Sequence, residues 1–139
     1  MFSPIKLINN TGLESEKNLC FVNTALQLLY CIPRVRGLFK SKEYRLPSEC
    51  GRKMKICDEI SRLFNSEINC NLSAAELRRL VSIASGRLYL HNGSQQDCLE
   101  FLILLLQEVE EEISLDNWEA KTTIQEFWGD EKVEKKVSK

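Results

Sequence analysis

The sequence predicts a mainly α-helical fold, and three observations predict it. Residues 20–31 form an apolar block of helical length, residues 52–65 and 73–86 carry apolar positions three and four apart, and Pro33, Ser73 and Gly86 stand where helices start or stop. The chain has 139 residues, of which 43% are hydrophobic and 28% charged, which suits one domain over 1–139 with its own core.

Each element follows from local chemistry. Residues 20–31 (CFVNTALQLLYC) are apolar on nearly every side, which reads as a buried helix, and Pro33 ends it. In 52–65, Met54, Cys57, Ile60 and Phe64 mark one face of an amphipathic helix. Ser73-Ala-Ala-Glu76 is a capping box ahead of Leu77, Leu80, Val81 and Ala84, and Gly86 fits the C-terminal cap. A fourth helix opens at Ser94, with Asp97 three residues on, and runs to about Ile113 on a face of Phe101, Leu104, Leu105 and Val109. Its acidic stretch EVEEE reads as a solvated end. Residues 121–139 change character: Phe127-Trp128-Gly129 reads as a turn, and the polar alternation around Val133 and Val137 as a short exposed strand or an irregular C-terminal tail.

Composition narrows the function. Lys+Arg number 19 and Asp+Glu 20, so no excess positive charge recommends nucleic acid as a partner. The apolar run Phe101–Leu106 is too short to cross a bilayer, so no membrane partner is expected. The start MFSPIKLINN has neither the basic opening nor the apolar stretch of an export signal, so the expected location is cytoplasmic or nuclear and the six cysteines are expected to be reduced thiols. No CxxC pair occurs and His91 is the single histidine, so neither a metal site nor a cofactor is expected.

Cys20 stands apart from the other cysteines. It opens the apolar helix, where unpaired N–H groups and the positive end of the helix dipole favour thiolate. By position alone it reads first as a small buried residue at a helix start, since such cysteines are common in cores.

The neighbouring residues carry more. Gly12, Leu13, Asn18, Cys20, Phe21, Asn23, Leu26 and Gln27 match, in register, the pattern G-L-x-N-x-G-N-x-C-aromatic-apolar-N-x-x-apolar-Q. Gln95-Gln96-Asp97-Cys98-Leu99-Glu100-Phe101-Leu102 is similar to Q-Q-D-A-x-E-F-L, and Ile124-Gln125-Glu126-Phe127-Trp128-Gly129 to an apolar-Phe-Gly segment. With these three motifs in order, residues 8–130 resemble the N-terminal thumb half of the ubiquitin-specific protease (ubiquitin carboxyl-terminal hydrolase) catalytic domain, leaving 131–139 as a charged tail.

The resemblance implies a helical thumb subdomain of a papain-like cysteine protease fold, with ubiquitin or a ubiquitin-like protein as partner. It implies that Cys20 is the nucleophile attacking the carbonyl at the ubiquitin C-terminus. Asn18, in the same cysteine box, is a further catalytic candidate, Gln95 and Asp97 fall at positions that hold the ubiquitin tail, and Phe21 lines the same cleft or packs the nucleophile helix. Ser94 and Asp97 equally form a helix cap, Gln27 reads as packing, and Asn23 remains open between the two roles.

Three departures qualify the implied chemistry. Ser15 stands where the family has the asparagine of the oxyanion hole, and losing one such donor typically costs about 10²–10³ in kcat. Lys17 replaces a glycine of the approaching loop. The family's histidine box has no counterpart here, which leaves His91 as the substitute base and makes turnover by the chain alone doubtful. A completing chain is expected on that ground, and a homo-oligomer because a thumb without the palm exposes an apolar face. The alternative is an inactive module that binds ubiquitin or another protein.

Overall fold

The computed structural model describes residues 20–49, 51–66, 73–87 and 98–128. Among these residues six α-helices follow in order: α1 (Cys20–Cys31), α2 (Pro33–Lys40), α3 (Lys55–Phe64), α4 (Ala75–Ser85), α5 (Cys98–Glu112) and α6 (Trp118–Trp128), with a 3-10 turn at Pro47–Glu49. No strand occurs among the described residues, so the fold is mainly α as expected. The tail positions Val133 and Val137 lie outside them.

Helix α5 is the central element and packs against α1, α3, α4 and α6. Its inner residues Phe101, Leu105 and Val109 are fully buried, beside Leu26 and Leu29 of α1, Ile60 and Leu63 of α3 and Leu77 and Val81 of α4 in one core. A cluster of rings closes the α2–α3 side: Phe39 lies 5.9 Å from Phe64, nearly perpendicular, and 5.5 Å from Tyr44. Edge-to-face contacts of this kind add to area burial.

The structure revises several local readings. Pro33 ends α1 but also starts α2, because its missing N–H and fixed φ suit the first turn of a helix. Helix α1 is not buried on every side: Thr24, Leu28 and Cys31 share an exposed outer edge, with Leu28 at 47% exposure. Phe127 and Trp128 belong to the last turn of α6 rather than to a loop. Asn117 caps that helix, its Oδ1 accepting from the Ala120 N–H at 3.4 Å while its Nδ2 donates to the Glu43 carbonyl at 3.0 Å.

The fourth revision concerns the acidic end of α5. Val109 and Glu110 are buried, and the Glu112 carboxylate accepts the N–H groups of Ile56 at 2.8 Å and Cys57 at 2.9 Å. Met54, the N-cap of α3, makes no side-chain cap of its own. A carboxylate 55 residues away therefore does the capping, where the helix dipole also favours a negative charge.

The two ends of α4 fare differently against the sequence. Gly86 closes it in the left-handed region at φ 73°, as expected. At its start the N-cap is Ala74, without a side-chain cap bond, so Ser73 and Glu76 do not make the expected capping box; Ser73 Oγ instead accepts the Ala75 N–H at 3.1 Å, two residues on. Helix α2 ends differently. Lys42 sits at φ 61° while the Glu43 N–H reaches the Leu38 carbonyl at 3.0 Å, a closure that normally places glycine at residue 42. Lys42→Gly is accordingly expected to stabilise the fold by about 0.5–1 kcal/mol, read as a higher urea midpoint, whereas Lys42→Ala gains nothing.

Candidate functional site

Cys20 is the first residue of α1, so the backbone places it at a helix N-terminus. The first-turn N–H groups of a helix lack partners within it, and the dipole adds positive potential there. Phe21, next along, is 3% exposed and stacks edge-on against Phe101, with centroids 5.3 Å apart and planes at 83°. Phe101 is the fourth residue of α5. That contact brings the start of α1 beside the start of α5.

The pairing matters because two sequence motifs lead into these starts. Cys20 belongs to the first, while Gln95 and Asp97 precede Cys98, the first residue of α5, by three positions and one. Asn23 is buried within the first turn of α1, and Gln27, one turn on, is half-buried. Ser15, Asn18, His91, Gln95 and Asp97 lie outside the described residues.

The described cysteines separate by environment. Cys57 is fully buried in the core, and burial, reinforced by the nearby Glu112 carboxylate, pushes its thiol well above the ordinary range. It therefore stays protonated and unreactive. Cys31 is exposed at the far end of α1, and Cys98 is half-buried against the core. No group of three or more His, Cys, Asp or Glu side chains among the described residues is arranged to hold a metal ion. No helix among them is long and apolar enough to cross a membrane.

One cluster was not read from the sequence. Arg45 Nη1 donates to the carbonyls of Glu49 and Arg52, each at 2.6 Å, and Nη2 to both oxygens of Asp58 at 3.0 Å. Tyr44 donates its hydroxyl to the same carboxylate at 2.5 Å, and burial followed by that bond raises its pKa. Tyr44 and Arg45 follow α2 while Asp58 lies in α3, so the bonds join separate elements and no periodicity within one element marks them.

Comparison with known proteins bears on the whole segment. A model of the family described as ubiquitin carboxyl-terminal hydrolase matches residues 11–138. Ubiquitin carboxyl-terminal hydrolase 11 of Saccharomyces cerevisiae is 30% identical over 112 residues, covering 77% of this chain and 16% of that protein. Ubiquitin carboxyl-terminal hydrolase 26 of Arabidopsis thaliana is 33% identical over 119 residues, covering 84% of this chain and 10% of that protein. Ubiquitin carboxyl-terminal hydrolase 7 of Saccharomyces cerevisiae is 27% identical over 113 residues, again covering 10% of the relative. The chain thus spans 10–16% of the length of these curated relatives. No solved structure matches it. With the family match running from residue 11 to residue 138, across the cysteine motif and all six helices, the chain belongs to the ubiquitin carboxyl-terminal hydrolase family.

Proposed function

We propose that this chain supplies the nucleophile and the ubiquitin-tail segment of a cysteine deubiquitinase. The observation that carries the reading is the position of Cys20, first residue of a helix whose start packs through Phe21 and Phe101 against the start of α5. The Cys20 thiolate attacks the carbonyl carbon at the ubiquitin C-terminus, and the scissile C–N bond breaks as the amine leaves with a proton. Water then hydrolyses the thioester, returning the thiol and a free carboxylate. Gln95 and Asp97 hold the extended tail, Asp97 by pairing with its cationic side chains. The proton acceptor is His91 or a histidine brought by another segment or chain.

A second reading is favoured by Ser15 and Lys17, which depart from the family at the oxyanion position and in the loop before the nucleophile. It makes the chain a ubiquitin-binding module with little turnover. Intact-mass analysis after incubation with ubiquitin carrying a C-terminal electrophile separates the two. A single ubiquitin adduct, absent in Cys20→Ala, is expected under the first reading. Unmodified protein that still binds ubiquitin, with native circular dichroism, supports the second.

A further inference from the structure

We propose that the groove on the outer face of α5 is an interface with a second copy of this chain. Arg87, Leu99, Glu100, Ile103, Leu104 and Gln107 line it, around a space of about 570 Å³. Leu99 is 61% exposed in the first turn of the central helix, and Ile103, one turn on, is half-buried. The wall they form is apolar, and it faces outward from a helix whose opposite face already fills the core.

The shape of this wall suits another copy of itself. Leu99, Ile103 and Gln107 stand four residues apart, so they form a single ridge along α5. Ridges of this spacing interlock at a crossing of about −50°, the commonest packing of two helices in globular proteins.

The charge around the groove selects the same partner. Its lining carries one cation, Arg87, and one anion, Glu100. A two-fold contact brings identical surfaces together, so a surface of one sign repels its own copy and a balanced one does not. A strongly acidic or basic partner meets an equal number of like and opposite charges here. A two-fold axis through the groove lays Leu99 of one copy against Ile103 of the other and turns each Arg87 toward the other copy's Glu100. The two α5 helices then run antiparallel. Parallel pairing instead aligns their acidic ends, Glu108 and Glu110 to Glu112, which repel. A contact of one ridge per copy buries less than the roughly 1,200 Å² of a standard interface, so the dimer is weak, with a dissociation constant of about 10–100 µM.

The test is sedimentation equilibrium of the full chain from about 5 to 500 µM under reductant, which spans that constant. Reversible association from monomer to dimer is expected. Leu99→Asp alters an exposed side chain and is expected to weaken association at least about tenfold, with an unchanged urea midpoint in dilute solution. Arg87→Glu and Glu100→Arg are each expected to weaken it about threefold to tenfold by placing like charges opposite one another. An equimolar mixture of those two variants is expected to associate about as well as the unaltered chain, because each copy then faces its opposite charge. A chain that stays monomeric throughout overturns the proposal and leaves the groove to a different partner. So does a dimer indifferent to Leu99→Asp, or a mixture that associates no better than its components. None of these readings depends on chemistry at Cys20.

Discussion

Phe101→Ala is expected to destabilise the protein by about 3–5 kcal/mol, measured as a lower urea midpoint with an unchanged slope. The ring is fully buried on the helix that contacts four others, so the cavity opens where little can collapse into it. Domains of this kind have about 5–15 kcal/mol in total, so the loss is large enough to populate unfolded chain near body temperature. Part of it is specific to the pair, because an edge-to-face contact such as that with Phe21 adds about 0.5–1.5 kcal/mol beyond burial. A midpoint unchanged in Phe101→Ala would mean that the ring does not pack in the core.

The conservative variant separates stability from positioning. Phe101→Leu keeps most of the buried volume and is expected to cost about 1–2 kcal/mol, leaving the protein folded at room temperature. It removes the edge-to-face contact that aligns the starts of α1 and α5. If the proposed chemistry at Cys20 depends on that alignment, its adduct with the ubiquitin electrophile forms about tenfold more slowly, because small displacements of reacting groups are costly. An adduct rate equal to that of the unaltered protein would confine Phe101 to packing.

The elements legible in the sequence are those whose information is local. Helix α1 spans residues 20–31 as its apolar block indicates, α3 falls inside 52–65, and Gly86 closes α4 because the left-handed position there suits glycine. Helix α2 escaped because proline reads as a terminator, although at the first turn it is an initiator. Helix α6 escaped because, among its residues of described burial, only Ala120 and Ile124 are buried, and their neighbours are mostly polar. Asn117 ahead of those two positions was the available signal. The pairing of Phe21 with Phe101 spans 80 residues of sequence, and no periodicity announces such a contact. Lys42 was invisible for another reason: a strained backbone angle is set by the closure of α2, not by the residue that occupies it.

Glu112→Ala is expected to cost about 2–3 kcal/mol, and the misreading of the acidic end of α5 explains why. A run of glutamates at a helix C-terminus is unfavourable for that helix, since its dipole presents negative charge there. The arrangement holds because the same carboxylate sits at the positive end of α3, accepting two N–H groups that nothing else in that helix satisfies. Hydrogen bonds to a charged partner contribute about 1.5–3 kcal/mol, and removing the acceptor leaves partly buried donors next to Cys57 without one. Glu112→Gln retains one acceptor oxygen and loses the charge, so it is expected to fall between, at about 1 kcal/mol. Glu111→Ala, one residue away and exposed, serves as the control and is expected to change stability by less than about 0.5 kcal/mol. Urea midpoints ordered wild type, Glu112→Gln, Glu112→Ala, with Glu111→Ala beside wild type, are the expected result. Equal midpoints for Glu111→Ala and Glu112→Ala would show that α3 needs no cap from α5.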